Sequence, residues 1–258
     1  MDNVLSEHTA EIMRKYRICI IVTSYNNKST INDVVSAAES VSPHVIVVLD
    51  GEPAVVVRSL EQHVSRQTVV LAFDKNRGKG DALKEGFKKA ILMGYEYAIT
   101  IDGSGQYYPE DICSFTEAFL HNKGAFIIGQ RSQPAVGASM GRSLAVRFCN
   151  FSYYFQTGHR VSDSLCGFRL YPLSMLDSRW KVTSRYYSEL EFLIYAAWKR
   201  VRIVCVPVRT HDDVVKLKGR FHSVIDFCRI FTVNVIFLAG SVFYYLPVRL
   251  VAFWRSLR

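Results

Sequence analysis

No two cysteines in this 258-residue chain stand in a C-x-x-C arrangement, and the six present (Cys19, Cys113, Cys149, Cys166, Cys205, Cys228) are scattered. That spacing argues against a structural zinc site. Four of the six lie in apolar or helical runs, which suits reduced core thiols of a cytosolic domain. The N-terminal MDNVLSEHTAEIMRKYR has no apolar core of the kind a signal peptide carries, so the globular part is expected to stay in the cytosol. Internal repeats and low-complexity linkers are absent, which removes solenoids and disordered tethers from consideration. Acidic residues are in short supply: 23 Asp and Glu against 32 Lys and Arg leave a net charge of +9. An anionic partner follows, and nucleic acid, phosphorylated substrates and acidic membrane surfaces all qualify at this level. Eleven of the basic residues, against three Asp, fall from Lys199 onward.

What is present is an alternation of buried strands and helices. Ile18 to Val22 is a continuous apolar run of the kind that parallel strands buried on both faces require. Further strands are expected at Val45–Val48, Val69–Phe73, Tyr97–Ile101 and Ala125–Ile128, separated by helical stretches. Residues 1–16 read either as a short polar helix or as loose chain. Thr30 with Asp33 resembles a capping box opening one helix, and Gly94 is placed to end another. Five such βα alternations predict an α/β fold with a doubly wound, mostly parallel sheet. After Arg131 come a loop, a helical stretch near Ser143–Phe155, a short strand, the strong helix of YYSELEFLIYAAWKR and a strand at Arg202–Val206.

The central stretch is YAITIDGSGQYYPEDI, Tyr97 to Ile112. An apolar strand there ends in Asp102, and open α/β sheets place ligands at the carboxyl ends of their strands. Asp102 at such a tip can hold a cation, and Gly103 and Gly105 allow backbone to approach a phosphate; a simple turn also uses these residues. Tyr25-Asn26-Asn27, Asp50-Gly51 and Gln130-Arg131 are expected on the same edge. The tail differs: Ile230 to Val248 carries no charge, yet is flanked by bases on both sides and interrupted by Pro247. Basic residues on both flanks conflict with a single span under the positive-inside rule. Helices lying in or dipping into the cytosolic leaflet are the preferred reading, with a true span or a buried core or oligomer helix as alternatives.

The succession VTSYNN, VVLDG, NRGKGDAL, ITIDGSGQYYPED, IIGQR, DSLCGFRLYP and YYSELEFLIYAAWKR resembles the family-2 glycosyltransferases of the GT-A fold. It is most similar to the dolichol/polyprenol-phosphate mannosyl- and glucosyltransferase branch, over about residues 17–210. The resemblance divides the chain into an N-terminal extension (1–16), a GT-A domain (17–212) and a basic, apolar membrane-associating segment (213–258). It implies that Thr23, Tyr25, Asn27 and Asp50 contact the nucleoside of a GDP- or UDP-linked sugar, although Thr23 stands where a proline is usual and Leu49 where a first Asp often precedes Asp50. Lys79 and Gly103 would approach the diphosphate. Asp102, Ser104 and Gln106 correspond to the acidic motif holding Mg²⁺ or Mn²⁺, with Ser104 replacing its second Asp.

Arg131 and Arg169 look like phosphate-side arginines, since a guanidinium presents two donors at once. Asp163, with Glu189 near it, would face the acceptor, as a base toward a hydroxyl or as an orienting group toward a lipid phosphate. Glu189 and Glu191 lie two apart on a helix, so one is expected at the site and the other in solvent. The implied enzyme works at the cytoplasmic side of an anionic membrane surface and transfers sugar by inverting displacement to a polyprenyl phosphate. Another lipid or glycan hydroxyl is the alternative acceptor, and a weakened, non-catalytic scaffold subunit the alternative class. Nucleic acid is not implied, because the bases collect beside an apolar tail without interleaved aromatics; a homo-oligomer is left open.

Overall fold

The computed structural model describes residues 2–131, 140–176 and 188–211, together with short pieces between 231 and 243. Seven strands form one sheet: β1 (Ile18–Ser24), β2 (Val45–Asp50), β3 (Val69–Phe73), β4 (Tyr97–Asp102), β5 (Phe126–Arg131), β6 (Arg169–Pro172) and β7 (Ile203–Val208). Their order across the sheet is β3-β2-β1-β4-β6-β5-β7. Every residue of β1 and β2 is buried, as their unbroken apolar sequence requires, whereas β3 at the edge is half-buried. All pairings are parallel except those of β6, which runs antiparallel to both β4 and β5. Ser24, Asp50, Asp102 and Arg131 therefore close four strands on one edge of the sheet, and β6 begins at that edge.

Helices α1 (Asp2–Lys15), α2 (Ile31–Val41), α3 (Ala54–His63), α4 (Lys79–Leu92), α5 (Ile112–His121), α6 (Met140–Thr157) and α7 (Ser188–Trp198) accompany the sheet. In α2 the buried positions are Ile31, Val34, Val35, Ala38 and Val41, one stripe at helical period. Helix α4 lies close to β1 and β2 because Gly86 has no side chain; a Cβ there would meet Ile21 Cγ2 at 2.8 Å. Residues 1–16, ambiguous in sequence, are helical from Asp2, and Met13 packs fully buried. Gly94 ends the α4 segment with a φ of 82°, as expected.

The capping box at Thr30 does not form. Thr30 occupies the N-cap without a side-chain cap bond, and its hydroxyl donates instead to the Gly103 carbonyl at 2.8 Å. Tertiary contact to the β4 loop wins over local capping. No helix among the described residues is long and apolar enough to cross a membrane. Most of the 213–258 segment, including much of the apolar run 230–248, lies outside the described residues.

Candidate active site

The loop after β1 is built on an acid that motif reading passed over. Glu52 is buried, and its Oε1 accepts from Ser24 Oγ at 2.8 Å and from the Asn27 N–H at 3.0 Å. The available signal was an acid directly following the strand-end Asp50-Gly51. Thr23 and Asn27 are both buried, and the Thr23 carbonyl accepts from the Gly103 N–H at 2.8 Å. Tyr25, by contrast, is half exposed. Asp50, which the resemblance placed at the nucleoside, also serves the backbone. It is 2% exposed, and its two oxygens accept from the N–H groups of Arg77 at 2.7 Å and Gly78 at 2.9 Å. Asp50 thereby fixes the N-R-G-K-G loop at the start of α4. Gly51, at φ 77°, lies directly against the backbone of Asn76 and Lys75, where any Cβ would collide.

That loop delivers Lys79 to the tip of β4. Its ammonium sits 2.5 Å from Asp102 Oδ1 and 2.6 Å from Glu189 Oε1, joining β4, α4 and α7 in one charged cluster. Burial acts to depress the Lys79 pKa, but the two carboxylates outweigh it and hold the ammonium above the ordinary lysine value. The remaining wall is Gly167. A Cβ on it would lie 2.7 Å from Lys79 Nζ and 2.8 Å from Asp102 Oδ2, so the ion pair occupies the space a side chain would fill. Gly167 itself is held by Thr100 Oγ1, which donates to its carbonyl at 2.8 Å, and by the Tyr107 hydroxyl, which accepts from its N–H at 3.2 Å. Burial raises the Tyr107 hydroxyl well above its usual range and pushes the adjacent Cys166 thiol up to about 11, so both stay neutral at physiological pH.

Arg131, ending β5, forms a two-pronged pair with Asp163: Nε meets Oδ2, and Nη2 meets Oδ1 at 2.8 Å. Leu165 N–H adds a third donor to Oδ1 at 3.3 Å. Arg169 does not face this space. It is fully buried, and Nε, Nη1 and Nη2 donate to the carbonyls of Cys166 (2.5 Å), Glu189 (2.5 Å) and Ser164 (2.7 Å). Those bonds tie the 164–167 loop to α7, so the sequence-based assignment of Arg169 to a phosphate is corrected to a structural one. The expectation that one of the two α7 acids lies in solvent is also corrected: Glu189 and Glu191 are 4% and 1% exposed.

Among the described residues no group of three or more His, Cys, Asp or Glu could hold a metal. Asp102, Ser104 and Gln106 still provide an all-oxygen donor set suited to Mg²⁺ or Mn²⁺, in which Asp102 is the only charge. Ser104 Oγ accepts from the Gln106 N–H at 3.3 Å, and the buried Gln106 Nε2 lacks a hydrogen-bond partner, so this amide is available to reorient toward a bound group. The donor chemistry of these residues suits such an ion, and Lys79 competes for Asp102.

The fold matches glucosyl-3-phosphoglycerate synthase from Mycobacterium tuberculosis, solved with Mn²⁺, UDP-glucose and phosphoglyceric acid. The TM-score is 0.65 at 15% identity, over 91% of this chain and 83% of that one. In sequence the chain is 26% identical over 213 residues to the UDP-N-acetylglucosamine–dolichyl-phosphate N-acetylglucosaminyltransferase of Methanococcus voltae, covering 75% of this chain and 85% of the relative. It is also 26% identical over 161 residues to the dolichyl-phosphate β-glucosyltransferase of Saccharomyces cerevisiae, covering 55% of this chain and 47% of that relative. The model of glycosyl transferase family 2 matches residues 19–180, more than half of the sequence, and the chain belongs to that family.

Proposed function

We propose that this enzyme transfers a sugar from a GDP- or UDP-linked donor to a polyprenyl phosphate at the cytoplasmic face of an anionic membrane, inverting the anomeric centre by direct displacement. The observation that carries the choice of acceptor is the state of Asp163. Both its oxygens are engaged by Arg131, and the Leu165 N–H adds to one of them. A carboxylate so committed is a poor base for a hydroxyl nucleophile. A lipid phosphate needs none, because its oxygen is already anionic at neutral pH. Asp163 then orients Arg131, and Arg131 offers its remaining donor face to the acceptor phosphate. The two relatives described above carry dolichyl phosphate in their names, which agrees with this choice.

On the donor side, Tyr25 stacks on the base, while Glu52 and Asp50 hold the two loops in place. Lys79 and the N-terminus of α4 face the diphosphate, where positive charge stabilises the departing nucleoside diphosphate. A divalent cation held by Asp102, Ser104 and Gln106 supplies further countercharge when bound. Helix α6 supports a lipid surface nearby, since it exposes Leu144, Phe151 and Phe155, the last two at 65% each. The basic, apolar 213–258 segment is the second element assigned to that surface.

Release of nucleoside diphosphate is the assay, run on the full chain with UDP- and GDP-sugars and with either polyprenyl phosphate or the matching free polyprenol. Release that requires the phosphate is the expected result. Turnover with the alcohol and not the phosphate would overturn the acceptor assignment, and binding of donor without any release would point to a non-catalytic subunit.

A further inference from the structure

The cluster at the tip of β4 contains two acids and one base. Lys79 is shared between Asp102 and Glu189, at 2.5 and 2.6 Å, and its side chain retains 20% exposure. Glu189 is buried and anchors the ammonium from behind, while Asp102, its side chain 24% exposed, forms the accessible side. The neighbouring Arg131–Asp163 pair is neutral as a unit, so these five groups together carry one net negative charge. Ser104 adds no second carboxylate beside Asp102. A divalent ion arriving alone would meet an ammonium already bound to its only charged ligand.

We infer that Lys79 is a placeholder cation: it holds Asp102 until the donor diphosphate draws the ammonium away, so that metal and nucleotide bind as a coupled pair. The Lys79 stem is flexible, and its contact to Glu189 lets the ammonium pivot from Asp102 toward a phosphate without leaving the cluster. Asp102 is then released to a metal at the moment the diphosphate supplies the missing oxygen ligands. Gly167 is the residue that leaves room for this exchange, because a side chain at 167 would press on both Lys79 Nζ and Asp102 Oδ2. By linkage, the factor by which nucleotide tightens metal must equal the factor by which metal tightens nucleotide. The inference rests on the donor-site reading above.

The test is Mn²⁺ binding followed by electron paramagnetic resonance, on wild type, Lys79→Met and Lys79→Gln, each alone and with UDP or GDP. Wild type alone should bind Mn²⁺ weakly, and the accepted nucleotide should tighten it by at least about tenfold, within the usual span of coupling free energies. Nucleotide-free Lys79→Met and Lys79→Gln should bind Mn²⁺ at least about tenfold tighter than wild type, since the competitor for Asp102 is gone. Nucleotide-free variants that bind Mn²⁺ no better than wild type would overturn the placeholder role while leaving the donor site intact. If neither nucleotide binds in any arm, the donor-site reading falls and takes the inference with it. Should Lys79→Met prove unstable without its charge, Lys79→Gln keeps hydrogen bonds to both acids. A thermal shift on adding Mn²⁺ to either variant, larger than in wild type, then reads the same preference.

Discussion

Replacing Arg169 by Met separates a structural arginine from a phosphate-binding one. The guanidinium is fully buried and spends all three nitrogens on the carbonyls of Cys166, Glu189 and Ser164. Methionine preserves the apolar stem and strands three acceptors, each costing about 1–3 kcal/mol when left buried without a donor. Some of that is regained, because a buried charge no longer has to be desolvated, leaving a net loss of about 3–5 kcal/mol. For a chain of 258 residues this corresponds to a fall in melting temperature of roughly 10 °C. Lysine should rescue little, since one ammonium cannot reach three carbonyls on two segments. Urea unfolding and calorimetry measure the effect, and nucleotide titration below the new midpoint shows whether donor affinity is retained. The reasoning fails if Arg169→Met unfolds like wild type and instead raises the KM for donor or acceptor, since that is how a phosphate ligand behaves.

Asp50→Asn removes one of two acceptors from the Arg77 and Gly78 N–H groups, so stability should fall by about 1–3 kcal/mol. Nucleotide affinity should drop with it, because the same loop carries Lys79; combined unfolding and binding curves check both. Ser104→Asp should bind Mn²⁺ several-fold more tightly, with equal or higher turnover, and a loss of donor binding in that variant would count against the metal ligand set. His44, bonded to the Tyr95 hydroxyl at 3.1 Å, has its pKa lowered from 6.5 by burial and then by Arg14. The folded state thus resists protonating it, and its contribution to stability is complete above pH 6.5 and lost as the pH falls below that value. The unfolding midpoint of His44→Gln should accordingly decline less between pH 7 and pH 5 than that of wild type.

The local pattern carried the secondary structure a long way. Continuous apolar runs at Ile18–Val22 and Val45–Val48 became the fully buried β1 and β2, since a run without polar alternation has no face to give to solvent. The ordered motifs were enough to identify family 2, and strand-end polar residues did gather on one edge, because parallel strands all point their carboxyl ends the same way. The reversed direction of β6 was not legible, because four residues of strand carry no mark of their pairing sense.

Side-chain commitments were decided by the tertiary structure alone. Asp102 and Lys79 are both conspicuous in sequence, but nothing local states that Glu189, more than a hundred residues beyond Lys79, completes a three-charge cluster with them. Asp50, Asp163 and Arg169 were equally visible as chemistry-bearing residues. Which of them faces a ligand and which serves the backbone depends on donors and carbonyls brought in from distant loops. Sequence by itself determined which residues are available for chemistry, because residue type and strand-end position are local properties. The fold decided which of those groups remain free to perform it, because hydrogen-bond partners are assigned only when separate segments pack together.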